Sequence, residues 1–265
     1  MKLAINHKTQ YDYDAPVGYT LQKVRLRPLR SIMQEVVDWD LSVEGGRIEA
    51  SYRDHYGNHV DLVSAEIGVQ HLVINAKGTV KTHDAAGVLG QVYGCAPLWH
   101  FVQPTQLTTA DAAIKKLATI IGESDTLLNG MHALSSAILR AVPYEIGQTD
   151  ANTTAAQAVV VGKGVCQDHA NIFIAAARAS SIPARYVSGY LMMDDRVDQD
   201  ASHAWAEVHL DGLGWVGFDI SNGVSPDERY VRIATGRDAS DAAPISGFRM
   251  GASDESLIVS LQVQQ

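Results

Sequence analysis

One cysteine of the chain occupies a position that suits nucleophilic chemistry. Cys166 lies in GKGVCQDHANIF, after a Gly-Lys-Gly turn and at the start of an apolar stretch with helical spacing. A thiol at a helix N-terminus lies at the positive end of the helix dipole, which favours the thiolate. The free backbone N–H groups of the same turn can bind the oxyanion that forms when a thiolate attacks a carbonyl. The segment thus supplies two parts of a cysteine acyl-transfer site; a buried core cysteine is the alternative.

A base and a carboxylate can come from a predicted β-hairpin. His203 in SHAWAEVHL and Asp219 in GWVGFDI lie on two predicted strands that the turn DGLG joins. Both residues are far from that turn, and cross-strand neighbours have Cβ atoms about 4.5–5.5 Å apart. Asp219 is therefore predicted to hold the imidazole of His203 in one tautomer, which completes a Cys-His-Asp triad.

Three other residues are candidates for the substrate and oxyanion site. Gln167 follows the nucleophile and can contribute its backbone N–H, although the N–H of Cys166 itself is the better oxyanion donor. The side chain of Gln157 either reaches the oxyanion from the preceding helix or lies on the surface. Trp205 is predicted to share a strand face with His203, where it either walls the cleft or packs in the core.

We predict neither a metal nor a cofactor. Cys166 and His169 have the spacing of metal ligands, but a zinc site needs at least three protein ligands, and Cys95 lies in a distant element. The aspartates from Asp194 to Asp200 raise a calcium alternative. That segment lacks the glycine and the closing glutamate of an EF-hand, so a solvated hairpin loop is the prediction.

Two kinds of element must position these residues. Up to residue 104 the chain reads as short alternating strands punctuated by turn signals, which is typical of an antiparallel sandwich. Helical spacing then begins, with Thr108 or Thr109 and Asp125 as predicted N-caps, before strands return. We predict an α+β fold: a β-sandwich-like domain over residues 1–104, then a core of helices packed on an antiparallel sheet over residues 105–265. The C-terminal LIVSLQVQ is predicted as a strand of that core.

Composition excludes several classes of function. The chain has 265 residues, a formal net charge of −9 and 46% hydrophobic residues, so disorder and a nucleic-acid partner are not expected. It shows no secretory h-region and no apolar run long enough to span a bilayer, which predicts a cytoplasmic protein without a membrane partner. Its two cysteines are then expected to be free thiols.

The segments around the triad resemble a known family. GKGVCQDHANIFIAAARASSIPARYVSGYL and SHAWAEVHLDGLGWVGFDISNG resemble the core of the transglutaminase-like superfamily. YDYDAPV, VRLRP and DHYGN resemble the N-terminal region of its bacterial members, and GRDASDAAPISG their C-terminal segment. The resemblance covers nearly the whole chain and implies a papain-like core with Cys166 as nucleophile, His203 as base and Asp219 as orienting carboxylate. The chain departs from the pattern at Asn171, where relatives often have His, and in FDIS and GRDA.

This resemblance implies acyl transfer through a thioester. If water reaches the thioester the enzyme is a peptidase or amidase, and if an amine does it is a transglutaminase. Hydrolysis of a peptide or related amide is the prediction, because nothing marks a lysine-binding cleft and the small bacterial members resemble cysteine proteases. A non-catalytic binding scaffold is the alternative, although such members typically lose a triad residue. A metal-dependent hydrolase would need further ligands beside Cys166.

Overall fold

The structure is a computed structural model that describes residues 1–91, 94–250 and 255–265. Within these ranges it combines three antiparallel sheets with four α-helices, which is the predicted α+β class. The helices are α1 (Ala112–Ala118), α2 (Leu127–Ala141), α3 (Ala155–Val161) and α4 (Cys166–Ala179). The described residues contain no helix with the length and apolar character that crossing a bilayer requires.

The strands supply most of the regular structure. In chain order they are β1 (Lys2–Tyr13), β2 (Tyr19–Val24), β3 (Gln34–Glu44), β4 (Gly46–Arg53), β5 (His59–Ala65), β6 (His71–Thr82), β7 (Val88–Gly90), β8 (Ala184–Leu191), β9 (Asp198–Gln199), β10 (His203–Leu210), β11 (Gly214–Phe218), β12 (Tyr230–Gly236), β13 (Ile245–Met250) and β14 (Glu255–Gln264).

Two sheets form the N-terminal sandwich. Their strand orders are β3-β6-β1-β14-β9 and β13-β2-β5-β4. Both sheets contribute to one apolar core, which includes Leu3, Ile5, Val24 and Val63. Burying each such aliphatic side chain is worth about 1.5–3 kcal/mol. Apolar and polar residues alternate along the strands, so the apolar face of one sheet packs against the apolar face of the other.

Strand β1 carries two polar side chains on its inward face. Every second residue from Leu3 to Tyr13 is buried, but His7 and Thr9 occupy two of these inward positions. The imidazole of His7 hydrogen-bonds the hydroxyl of Tyr190 at 3.0 Å and that of Thr9 at 3.1 Å. The inward polar groups therefore have partners, although they interrupt the apolar alternation.

A third sheet, ordered β12-β8-β10-β11-β7, forms the core with the four helices. Ala204, Ala206 and Val208 of β10 face the helices and share an apolar cluster with Phe173 of α4. The small alanine side chains let the helix approach the sheet closely, and α4 is buried from Asp168 to Arg178. A buried helix is thereby held firmly against the sheet that carries the predicted base.

Strand pairing does not follow the division at residue 104. β7 precedes that boundary but pairs with β11 of the core sheet, whereas β13 and β14 pair with β2 and β1 of the sandwich. The prediction that the C-terminal strand belongs to the catalytic core is therefore wrong. The physical reason is that alternation fixes which face of a strand is buried, but not which strand it will pair with.

Two predicted helix caps are each displaced by a few residues. Asp111, rather than Thr108 or Thr109, caps α1, and its carboxylate accepts a backbone N–H of the first turn at 2.9 Å. Thr126, rather than Asp125, caps α2 in the same way at 3.2 Å. Since all of these residue types can cap a helix, the cap is decided by backbone conformation and not by composition.

Candidate active site

The turn before α4 is held by a buried carboxylate. Asp168 accepts the backbone N–H of Val165 at 2.8 Å and the hydroxyl of Thr149 at 2.6 Å. A Cβ atom at Gly164 would lie 2.7 Å from Oδ2 of Asp168, so this position requires glycine. The glycine before the nucleophile is thus a packing requirement that fixes where the helix begins.

Cys166 is the first residue of α4 and is half-buried. The N–H groups of Cys166 and Gln167 belong to the first turn, where no intrahelical acceptor exists. The side chain of Gln167 donates to the carbonyl of Ala151 at 3.2 Å, so it anchors the preceding loop while its backbone N–H stays in the turn. The arrangement places a thiol beside backbone donors of the kind that stabilise an oxyanion.

His203 and Asp219 meet at one edge of the core sheet. His203 opens β10, and Asp219 follows β11, which pairs antiparallel with β10 from Leu210↔Gly214 to Ala206↔Phe218. The Nε2 atom of His203 lies 2.6 Å from Oδ2 of Asp219, and both side chains are buried. The structure therefore brings these two residues together, and it leaves Nδ1 of the imidazole for another partner.

The thiol of Cys166 lies near enough to this imidazole to affect its pKa. Burial lowers the pKa of His203, but hydrogen bonds to Asp219 and Cys166, together with their charges, raise it to about 10. Burial likewise raises the pKa of Asp219, but the hydrogen bond and charge of His203 hold it below its ordinary value. The site thus favours a charged imidazolium at His203, held by the carboxylate of Asp219.

Two residues that the sequence does not single out complete the carboxylate site. The hydroxyl of Tyr230 and the side-chain amide of Asn222 each donate to Oδ2 of Asp219 at 2.7 Å. The backbone N–H of Asn222 donates to Oδ1 at 3.2 Å. Tyr230 comes from β12, on the far side of β8 from β10, so no spacing signal in the sequence connects it with Asp219.

Trp205 is part of the core and also supports the imidazole. It is 1% exposed and packs with Val187, Leu191 and Tyr230. Its ring stacks on that of His203 with centroids 6.3 Å apart and an interplanar angle of 29°. Of the two predicted alternatives, the structure supports core packing, and the stacking limits how far the imidazole can rotate.

Gln157 has a different role from the predicted oxyanion donor. It is exposed, and its side-chain oxygen accepts the backbone N–H of Thr154 at 2.9 Å, which forms the capping box of α3. Capping-box residues satisfy otherwise free N–H groups of the first helical turn. The surface alternative therefore applies, and the structure does not bring this side chain to the thiol.

His169 is a buried structural histidine. Its Nε2 lies 2.6 Å from the carbonyl oxygen of Val142, and its Nδ1 lies 2.8 Å from the hydroxyl of Ser221. Burial lowers its pKa, so the neutral imidazole donates to the carbonyl and accepts from the serine. Both nitrogens are engaged by the protein, and in the ranges that the structure describes no three His, Cys, Asp or Glu side chains converge as a metal site.

A cleft of about 750 Å³ opens at His203. Its apolar walls include Tyr144, Ile146, Met192 and Met193, and the loop that begins at Asp194 forms part of its rim. Methionine side chains adapt to differently shaped ligands, which suits a binding cleft. The acidic segment predicted as a solvated loop therefore borders the candidate active site, and its short strand β9 pairs with β14.

Family comparisons agree with this architecture. Residues 115–220 match the model of the transglutaminase-like superfamily, and residues 3–81 match that of the bacterial transglutaminase-like N-terminal region. Cys166, His203 and Asp219 all fall within the first match. The chain belongs to the transglutaminase-like superfamily and carries the N-terminal region of its bacterial members.

Individual relatives cover nearly the whole chain. A crystal structure of a "putative cysteine protease" from Cytophaga hutchinsonii is 26% identical, covers 100% of this chain and 98% of its own, and superposes with a TM-score of 0.77. An uncharacterized protein of Mycobacterium tuberculosis is 29% identical over 96% of this chain and 89% of its own length. An uncharacterized protein of Mycobacterium leprae is 24% identical over 99% and 98%. The chain is thus similar to these proteins in both its sandwich and its core.

Proposed function

We propose that this protein is a cysteine-dependent acyl-transfer enzyme that hydrolyses a peptide or a related amide bond. The observation that carries the proposal is the buried His203 imidazole at the cleft, which lies 2.6 Å from the carboxylate of Asp219 and whose pKa is also affected by the thiol of Cys166. The similarity to the "putative cysteine protease" of Cytophaga hutchinsonii supports the same class of reaction.

In the first half-reaction the Cys166 thiolate attacks the carbonyl carbon of the substrate. A C–S bond forms, and the π electrons move to the carbonyl oxygen, which the N–H groups of Cys166 and Gln167 stabilise. The oxyanion then collapses, the C–N bond breaks, and the imidazolium of His203 gives its proton to the leaving amine. The products of this step are the free amine, a thioester and a neutral imidazole.

In the second half-reaction His203 takes a proton from water, and the hydroxide equivalent attacks the thioester carbon. The C–S bond breaks, the carboxylic acid product leaves, and the thiolate–imidazolium pair is restored. Asp219 keeps its charge throughout and holds Nε2 of the imidazole, so Nδ1 faces the reacting atoms.

Product analysis with three variants tests the proposal. A library of short amides is incubated with wild type, Cys166→Ala, Cys95→Ala and His203→Ala, with and without an added primary amine, and products are identified by mass spectrometry. Hydrolysis in wild type and Cys95→Ala, and its loss in the other two variants, is the expected result. Products that join only the added amine would assign a transglutaminase instead. Turnover that survives Cys166→Ala, or a wild type that binds amides without turning them over, would contradict the proposal.

A further inference from the structure

A second cavity lies between the sandwich and the core sheet. Its volume is about 770 Å³, and its lining includes Leu29, Ile32 and Tyr56 from the N-terminal half and Arg185 and Arg232 from the core. The backbone N–H of Leu29 donates to the carbonyl of Arg232 at 3.1 Å, so the two halves of the chain are joined at the cavity wall. Ala206 and Val208 of β10 face the helices, so Glu207 between them points to the other face of the sheet, where it contacts Arg185 and Arg232. The cavity that these arginines line is therefore on the sheet face opposite α4.

The floor of this cavity carries excess buried positive charge. Arg185 and Arg232 both pair with Glu207, through Nε–Oε distances of 2.7 and 2.8 Å, and all three side chains are buried. Nη2 of Arg185 lies 2.7 Å from the same Oε2 but is not aligned to donate, and it is buried without a hydrogen-bond acceptor among the described residues. The single negative charge of Glu207 is thus shared by two guanidinium groups, each of which has five N–H donors.

The rim of the cavity adds two exposed arginines. Arg30 has no ion-pair or hydrogen-bond partner among the described residues, and Arg53 donates only to the carbonyl of Gly57 at 2.9 Å. Among the described residues that line the cavity, Asp54 is the acidic one. Its carboxylate already accepts the N–H groups of Tyr56 and Asn58 at 3.0 and 2.9 Å. The cavity is therefore strongly positive in a chain whose net charge is −9.

We propose that this cavity binds a carboxylate carried on an apolar body. The guanidinium groups match the geometry of a carboxylate, and the walls formed by Leu29, Ile32 and Tyr56 would bury an aliphatic chain. A small polyanion would leave those apolar walls uncovered. A peptide C-terminus and a free aliphatic acid share this chemistry. The inference does not depend on the proposed acyl-transfer activity.

Cys95 provides a direct reporter of occupancy. It is an exposed free thiol in the wall of this cavity, whereas Cys166 is at the other site. Iodoacetamide labelling of native protein is followed at both cysteines by mass spectrometry, with N-acetyl-leucine, N-acetyl-leucinamide or hexanoate present. Both acids are expected to slow labelling of Cys95 and not of Cys166, and the amide to need about tenfold higher concentration. Protection by N-acetyl-leucine alone assigns a peptide C-terminus, and protection by hexanoate alone assigns a free acid.

Exposed arginines allow variants that should keep the fold. Arg30→Ala and Arg53→Ala are each expected to raise the half-protecting concentration about fivefold to tenfold. Arg47→Ala, which removes an exposed arginine of β4 that pairs with Glu49, is the control and should change nothing. The proposal is overturned if the amide protects as well as the acid, or if protection survives both rim variants. It is also overturned if neither acid protects at about 10 mM, where a millimolar site would be mostly filled.

Discussion

The proposed triad predicts that His203 makes Cys166 more reactive towards alkylation than an ordinary thiol. Burial lowers the pKa of His203, but its hydrogen bonds to Asp219 and Cys166 and their charges raise it to about 10. The imidazolium is therefore present at neutral pH, and a cation near a thiol increases the reactivity of that thiol. We expect Cys166 to be alkylated faster than Cys95 at about pH 6, and to lose this advantage when His203 is removed.

The size of the effect follows from the fraction of thiolate. An ordinary thiol with a pKa of about 8.5 is only about 0.3% thiolate at pH 6, so a stabilised thiolate has an advantage of about 300-fold in reactive species. The lower intrinsic nucleophilicity of such a thiolate offsets about tenfold of this. Cys166 should therefore react about 30-fold faster than an ordinary thiol at pH 6, although it is half-buried and Cys95 is exposed.

The assay reads both cysteines in one digest after short pulses of iodoacetamide at each pH. His203→Ala should remove the advantage of Cys166 and leave Cys95 unchanged. His71→Ala is the matched control, because it removes a histidine that pairs with Asp12 at 2.6 Å on the surface. The reasoning is refuted if Cys166 reacts no faster than Cys95 at about pH 6 in wild type, or if the advantage of Cys166 survives in His203→Ala.

Three further predictions concern stability, measured by urea denaturation. Tyr230→Phe removes the 2.7 Å hydrogen bond to Asp219, and loss of a bond to a charged group should lower the free energy of unfolding by about 1.5–3 kcal/mol. Gly164→Ala places a Cβ atom 2.7 Å from the carboxylate of Asp168 and should cost about 1–3 kcal/mol. The pKa of His203 is raised from 6.5 to about 10, so its contribution is fully present below pH 6.5. Stability should fall as pH rises from 6.5 through about 10.

Controls separate these effects from general damage to the fold. Gly122→Ala adds a Cβ atom into open space and should be nearly neutral, so an equal loss there would argue against the steric reason given for Gly164. Cys166→Ala removes one of the groups that raise the pKa of His203, so it should make the fall of stability between pH 6.5 and about 10 shallower. An unchanged slope in that variant would argue against coupling between the two residues. A Tyr230→Phe protein as stable as wild type would show that the hydroxyl does not support Asp219.

Local features of the sequence determined the main parts of the candidate site. The Gly-Lys-Gly turn and the apolar stripe that follows it predict a helix beginning at Cys166, because helix starts depend on nearby residues. The DGLG turn pairs its two flanking strands, so the approach of His203 to Asp219 also follows from local pairing. The bulk of the sandwich strands is likewise visible as alternation.

Only the tertiary structure decided which distant groups join the candidate site. Tyr230 reaches Asp219 from β12, and β14 returns to pair with β1 at the other end of the chain, because strand partners are chosen by packing and not by spacing. The side-chain amide of Gln157 could donate to an oxyanion. Its oxygen instead accepts the backbone N–H of Thr154, which holds the side chain at the start of its own helix. Arg185 and Arg232 look like ordinary charges in the sequence, and only the folding of the sandwich over the core sheet buries both beside one carboxylate.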